Sequence, residues 1–312
     1  MIVSASRRTD IPAFYSEWFM NRLQEGFVYV KNPLNPKQIS KVILDPEVVD
    51  CIVFWTKNVQ PMLKRLDNIT RMGYPYYFLF TLTPYDRQVE KHLAPKAEII
   101  TGFKKLSEKI GKQRIIWRYD PIIVNESFSV EYHLQAFELL CGKLCDSTTK
   151  CIFSYVDLYQ KTRRNAKGIV DREADLETME QTAQGFSKIA HAYKIRLQTC
   201  CEEIGLGKYG IGHGACIDPQ MVEELTGCPV EAKKDPNQRL TCGCMESVDI
   251  GAYDSCPHGC VYCYAARDKN TVGSNIRRHD VHSPLLIGKP SAGDKITNRA
   301  VKSCKNINRE NV

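Results

Sequence analysis

Three cysteines near the end of the chain, Cys256, Cys260 and Cys263, are spaced C-x3-C-x2-C with Tyr262 directly before the last. Thiolates are the usual protein ligands of iron–sulfur clusters, and an electron-transfer site normally brings a fourth cysteine from nearby in the same motif. This loop stops at three and runs on into Tyr264-Ala-Ala-Arg267. The spacing suits a short loop wrapped round three corners of a 4Fe-4S cube, leaving the fourth iron without a protein ligand and open to chemistry. Gly259 fits such a loop, because a chain turning back on a cluster needs torsions and a close approach that a side chain obstructs. The alternative is a zinc knuckle, whose closed tetrahedral shell needs a fourth ligand. His258, or a cysteine of the Cys242-Gly-Cys244 pair, could supply it.

The C-x3-C-x-aromatic-C arrangement resembles the signature of the radical S-adenosylmethionine (radical SAM) enzymes. The resemblance implies that Cys256, Cys260 and Cys263 ligate the irons and that Tyr262 lies against the adenine. It also implies that the amine and carboxylate of S-adenosylmethionine chelate the open iron. Reductive cleavage of the sulfonium then gives a 5'-deoxyadenosyl radical that abstracts hydrogen from a substrate, with the electron supplied by a partner such as flavodoxin or ferredoxin.

The chain has 312 residues, 43% of them hydrophobic, and a formal charge of +7. That is ordinary for a water-soluble protein, and no apolar run approaches the roughly 20 residues of a membrane span. The start, Met1-Ile-Val-Ser-Ala-Ser-Arg7-Arg8, lacks a basic stretch followed by an apolar core. A cytoplasmic protein with reduced thiols is therefore expected. Of the 14 cysteines, ten fall from Cys200 onward, which puts the metal chemistry in the last third. Cys51, Cys141, Cys145 and Cys151 lie in apolar surroundings and read as small core hydrophobes. Part of the positive excess lies in the tail, at Lys295, Arg299, Lys302, Lys305 and Arg309, where a solvated, loosely ordered end is expected.

These residues need a frame. Short runs rich in β-branched and aromatic residues recur at Ile2 to Ser6, Cys51 to Thr56, Tyr76 to Leu82, Arg114 to Tyr119, Cys151 to Asp157, Ile195 to Thr199 and Val248 to Tyr253. Helical patterns lie between them at Tyr15 to Glu25, Pro36 to Ile43, Gln60 to Met72, Ala97 to Ile110, Val130 to Leu144 and Leu176 to Tyr193. Alternation of strand and helix predicts an α/β fold, here a (β/α)6-8 TIM-barrel-like parallel barrel with a Cys-rich C-terminal region. Such a barrel carries its active site beyond the C-terminal ends of the strands. Those ends hold Arg118 and Asp120, Asp157, and Glu202, the expected substrate-binding or proton-donating groups. Trp55, Trp117, Tyr119 and Tyr155 are aromatic candidates for a stacking surface at the mouth or for the core.

Only 49 residues follow Cys263, too few for a barrel of roughly 250 residues, so the barrel must lie upstream. The strand at Val248 is expected to close against the strand at Ile2, in an order circularly permuted relative to other radical SAM barrels. The expected units are 1–205 for the barrel, 206–246 for a Cys-rich segment, 247–267 for the last strand and cluster loop, and 268–312 for the basic tail. By the same resemblance Arg7, Arg8, Thr9 and Asp10 become candidates for contact with S-adenosylmethionine. Thr9 or Asp10 equally suits the N-cap of a helix opening at Ile11-Pro12. Beyond the loop, Ser4-Ala-Ser-Arg-Arg-Thr-Asp-Ile-Pro12, Phe54-Trp-Thr-Lys-Asn58, Phe80-Thr-Leu-Thr-Pro-Tyr85, Trp117-Arg-Tyr-Asp-Pro121 and Asp249-Ile-Gly-Ala-Tyr253 resemble the bacterial family called domain of unknown function 1848. That family carries no assigned reaction.

Cys200, Cys216, Cys242 and Cys244, with Cys201, Cys228 and Cys304 as spares, are expected to gather at an auxiliary 4Fe-4S cluster or a structural zinc. His213, flanked by glycines, reads as a turn residue or a ligand. Three other functions fit parts of the sequence. One is a zinc-stabilised binding module, and the second a nucleic-acid repair lyase of the spore photoproduct lyase type. The third is a metal-independent enzyme acting on a phosphorylated substrate through Lys57, Arg118 and Asp120.

Overall fold

The computed structural model describes residues 1–306; Arg309 of the expected tail lies outside them. The chain opens with β1 (Ile2–Ala5), α1 (Ile11–Phe14), α2 (Ser16–Glu25), β2 (Phe27–Lys31), β3 (Gln38–Ile43) and β4 (Cys51–Thr56). It continues through α3 (Gln60–Leu63), α4 (Leu66–Arg71), β5 (Tyr76–Thr81), α5 (Lys96–Ile110), β6 (Ile115–Ile122), α6 (Val130–Leu144) and β7 (Lys150–Tyr155). Then follow α7 (Gln160–Asn165), α8 (Leu176–Ala192), β8 (Arg196–Thr199), β9 (Gly212–His213), α9 (Pro219–Thr226), β10 (Val248–Asp249), α10 (Lys269–Ile276) and β11 (Lys295–Asn298).

Eight strands form one sheet in the order β10-β1-β4-β5-β6-β7-β8-β9, parallel throughout. The late strand pairs with the first as expected, Val3 opposite Val248 and Ser4 opposite Asp249. The expected closed barrel is not formed, because β9 and β10 remain the two edges of the sheet. The reason is visible in what covers each face. Alternate residues of a strand point to opposite sides, and Val3, Phe54, Phe78, Trp117 and Phe153 join the helices in the main core. Their neighbours Ile2, Val53, Tyr77, Ile116 and Ile152 pack instead against Cys216, Ile217, Val222, Val230, Cys242, Cys244 and Met245. The Cys-rich segment thus buries the second face, the task that strand closure performs in a barrel.

Two further expectations are corrected. Residues 36–43 do not form a helix: Gln38–Ile43 is a strand, paired antiparallel with Phe27–Lys31. Three of its six residues are β-branched, and a neighbouring strand offers them a pleated partner, which outweighs a helical pattern only eight residues long. The tail is also ordered as far as it is described. Lys295–Asn298 pairs with β3, and Trp18 Nε1 and Asn21 Nδ2 of α2 donate to the carbonyls of Ser283 (2.8 Å) and Val281 (2.9 Å). Among the described residues, no helix is long and apolar enough to cross a membrane.

Candidate active site

The loop carrying Cys256, Cys260 and Cys263 leaves β10 beside the end of β1. Asp249 fixes that junction by accepting from Ser4 Oγ (3.0 Å), Ser6 Oγ (2.7 Å), the Arg7 amide (2.8 Å) and the Gly251 amide (3.0 Å). Farther on, the loop lies along residues 89–92. The Val261 amide donates to the Val89 carbonyl (3.0 Å), the His92 amide to the His258 carbonyl (3.0 Å), and Glu90 and Cys260 form an antiparallel bridge. Gly259 has φ +68°, and a Cβ there would lie 2.9 Å from the His92 ring, so the turn requires glycine on both counts.

Two charged groups hold the loop. Asp10 accepts from the Ala13 amide (3.0 Å), Thr56 Oγ1 (2.8 Å), the Lys57 amide (2.7 Å) and His258 Nε2 (2.8 Å). It therefore caps α1 and ties that cap to the cysteine loop. Glu90 is buried and accepts from Lys57 Nζ (2.7 Å), Thr83 Oγ1 (2.7 Å), Lys96 and the Tyr262 hydroxyl. Burial alone would raise its carboxyl, but Lys57 and Lys96 outweigh burial and pull it down to about 2. Burial likewise disfavours the Lys57 ammonium, while Glu90 and then Cys260 more than restore it, leaving its pKa above the ordinary lysine value.

The three thiols lie within electrostatic reach of one another. Burial is the main cause that pushes each of them up, Cys260 to about 12, and charges on Cys263 and Cys260 would add to the rise at Cys256. All 14 cysteines are free thiols. Among the described residues, no group of three or more His, Cys, Asp or Glu side chains is placed so that it could hold a metal ion.

Beyond the loop, the mouth of the sheet is lined by arginine and tryptophan. The guanidinium carbons of Arg7 and Arg118 lie 5.2 Å and 5.0 Å from the Trp55 ring centroid, close enough for cation–π attraction. Arg118 is ion-paired with Asp120, which also accepts from Ser154 Oγ at 2.5 Å. Tyr264 donates to the Arg7 carbonyl (2.9 Å), and charges on Cys263, Arg118 and Arg7 all act on its hydroxyl. Several buried polar atoms here have no protein partner: the donors Arg7 Nη2, Thr9 Oγ1 and Arg118 Nε, and the ring nitrogen His258 Nδ1. Buried polar groups are normally satisfied, and two of these unpartnered donors belong to the arginines stacked on Trp55.

A family model, domain of unknown function DUF1848, matches residues 2–265. The chain belongs to that family. No curated protein matches it. Among solved structures, a candidate alpha-L-fucosidase from Bacteroides thetaiotaomicron VPI-5482 is similar over 75% of this chain and 85% of that one, at 11% identity and a TM-score of 0.28. So distant a likeness carries no argument. The family match covers the cysteine loop, the β1 end and every strand of the large sheet.

Several expected site residues meet at the mouth and others do not. Arg7, Thr9 and Arg118 present unpaired donors, whereas Asp10 is fully committed to the helix cap and His258. Arg8 faces the Tyr253 ring at 4.9 Å and lies 3.9 Å from Asp249. Tyr262 packs on Tyr85 (6.2 Å between centroids) under Lys57 (5.5 Å), so its ring is engaged by protein. Asp157 pairs with Arg239 at 2.9 Å, at a distinct position, and burial raises its carboxyl. Glu202 accepts from the Tyr155 amide (2.8 Å), and burial pushes it up to about 7. Of the aromatic candidates only Trp55 meets the arginines. Trp117, Tyr119 and Tyr155 are core, with Trp117 Nε1 donating to the Leu82 carbonyl at 2.9 Å. His213 is exposed. Sequence reasoning did not single out Glu90, Lys96 or Asp249. The first two lie on irregular chain or at a helix start, and Asp249 sits inside a strand pattern, so no periodicity distinguishes them.

Proposed function

We propose that this chain is an enzyme of the radical SAM type, in which Cys256, Cys260 and Cys263 hold a 4Fe-4S cluster and the arginine-lined mouth holds S-adenosylmethionine. Bound there, the cluster and S-adenosylmethionine would supply a 5'-deoxyadenosyl radical for hydrogen abstraction. The observation that carries the reading is a pinned loop of three thiols that leaves β10 beside the end of β1, where Arg7 Nη2 and Thr9 Oγ1 are buried donors without a protein partner. The donor set fits on chemical grounds: three sulfurs suit an iron–sulfur cluster with a free coordination position, and a carboxylate-bearing ligand suits two guanidiniums.

The chain's own residues divide the remaining tasks. Lys57, Glu90 and Lys96 fix the loop from below, so its sulfurs keep one orientation. Lys57 also places a positive charge near Cys260, which favours its thiolate. Arg7 and Arg118, stacked on Trp55, orient a carboxylate without being able to lose a proton themselves. The Asp120 carboxylate holds Arg118, and Ser154 holds Asp120. An electron-donating partner of the flavodoxin or ferredoxin class belongs to the same reading.

The test is anaerobic reconstitution of the full chain with iron and sulfide. Four irons and four sulfides at the loop should give a brown protein whose electron paramagnetic resonance spectrum changes on adding S-adenosylmethionine. Under a strong reductant it should release 5'-deoxyadenosine and methionine. Replacing Cys256, Cys260 and Cys263 by alanine should abolish both signals. Well-folded wild-type protein that takes up no iron and sulfide, or cleaves no S-adenosylmethionine, refutes the proposal.

A further inference from the structure

The cysteine loop is bordered on two sides by exposed positive charge. On one side the chain at Lys91 and His92 lies directly on it, since a Cβ at Gly259 would stand 3.4 Å from Lys91 Cβ and 2.9 Å from the His92 ring. Arg87 and Lys91 are exposed on that segment. On the other side α7 and the turn after it carry Arg163, Arg164 and Lys167, all exposed. Arg164 Nη2 donates to the Arg267 carbonyl (2.5 Å) and Asn165 Nδ2 to the Ala266 carbonyl (3.2 Å), so α7 holds the outgoing end of the loop. The two sides form one surface, because Val89, Ala166, Val170 and Val261 belong to a single apolar cluster that ties both segments to the loop.

This charge is not neutralised locally. Over residues 86–92, 160–168 and 264–269 the exposed acids are Asp86 and Asp268, fewer than the exposed lysines and arginines. Both serve local turns, Asp86 accepting from the Gln88 amide (2.8 Å) and Asp268 from the Asn270 amide (2.9 Å). Farther along, Asp171 and Glu173 accept from the Gly168 amide (3.3 Å) and the Leu158 amide (2.8 Å). Glu90 is buried and already shared by Lys57 and Lys96. Among the described residues, Arg87, Lys91 and Lys167 pair with no carboxylate. The exposed large aliphatic side chains, at Leu34, Leu139, Leu176, Leu240 and Ile296, lie on other segments.

A charged surface with little apolar area suits a brief encounter and not a permanent interface. Redox partners meet in this way, over small areas, and opposite charge sets the rate and the orientation of such encounters. Nucleic acid is also drawn to positive charge. Placement decides between them: the surface is built on the loop that carries the three thiols, where an electron must enter.

We propose that this surface docks a small acidic protein that delivers one electron at a time, its carboxylates facing Arg87, Lys91, Arg163 and Lys167. The proposal rests on the radical reading above. One electron leaves the reduced carrier and enters the cluster behind the surface, so the carrier is oxidised by one unit and the cluster is reduced by one. No bond is made or broken at the interface.

The test uses the full chain and an acidic bacterial flavodoxin. Binding is measured by calorimetry with the oxidised flavodoxin and the chain free of iron. Wild-type protein should bind it, and binding should vanish between about 0.01 M and about 1 M salt, as the screening length falls from about 30 Å to about 3 Å. R87E/K91E/K167E should bind about tenfold more weakly or worse. K37E/K295E/R299E, with the same change of net charge on the small sheet, should bind as wild type does. After reconstitution, R87E/K91E/K167E should cleave S-adenosylmethionine at the wild-type rate with dithionite and more slowly with flavodoxin hydroquinone. A wild type that takes up its cluster but shows no salt-sensitive binding overturns this proposal alone. Equal weakening by the two triple variants also overturns it, as does tighter binding of a single-stranded oligonucleotide than of flavodoxin at the same three residues. A chain that takes up no cluster yet binds flavodoxin through Arg87, Lys91 and Lys167 refutes the radical reading and leaves the docking surface standing.

Discussion

Glu90 is the residue whose replacement tests most directly how the cysteine loop is held. It is 1% exposed at the side chain, and Lys57, which pairs with it, is 12% exposed. Glu90→Gln keeps the shape but removes the charge, leaving the Lys57 ammonium buried without its counter-ion. Breaking one partner of a buried pair costs about 3–5 kcal/mol. Proton linkage gives a similar figure. A carboxyl held at about 2 instead of 4.5 contributes about 3 kcal/mol at neutral pH, at about 1.4 kcal/mol per pH unit. Its folded-state pKa is depressed, so this contribution is present above pH 4.5 and is lost as pH falls toward 2. Urea unfolding at pH 7 should therefore show a loss of about 3 kcal/mol in the variant. Lys96 is 29% exposed, so Lys96→Met should cost less, on the order of 1 kcal/mol. The iron taken up by Glu90→Gln on reconstitution should also fall, because Tyr262 and Lys57 lose their common anchor. A loss below about 1 kcal/mol, no larger than that of Lys96→Met, would refute the argument that this buried pair pins the loop.

Other outcomes follow from particular contacts. His133 is buried, with Nε2 on the Ile123 carbonyl (2.7 Å) and Nδ1 on the Tyr119 hydroxyl (2.8 Å), and burial lowers its pKa to about 4. Its contribution is complete above pH 6.5 and is lost as pH falls toward 4. Urea midpoints should reveal about 2 kcal/mol of extra destabilisation by pH 5, absent in His133→Gln. At Gly251 a Cβ would fall 2.0 Å from Ser6 Oγ, which Asp249 and the Arg8 amide already hold. Gly251→Ala should cost about 1–3 kcal/mol of overpacking strain in a thermal melt, and an unchanged melt would contradict the close approach of β10 to β1. Arg118→Lys keeps the charge but loses the fork that matches a carboxylate. S-adenosylmethionine should then bind the reconstituted protein about tenfold more weakly, about 1.4 kcal/mol, with little change in urea stability.

The sequence by itself determined a parallel sheet with helices between its strands. β-branched and aromatic runs such as Cys51–Thr56 are buried on both sides, and a strand with no solvent face is recognisable from composition alone. It also determined the link between the two chain ends, since too little chain follows Cys263 for the loop to open a barrel of its own. Local spacing picked out Cys256, Cys260 and Cys263 because their constraint is itself local. What fills the second face of the sheet was decided by the tertiary structure, because the segment that covers it competes with strand closure over long sequence separations that no periodicity records. The same holds for Glu90, whose four donors come from Lys57, Thr83, Lys96 and Tyr262. Convergence of distant residues is a property of packing, and the chain's own order does not contain it.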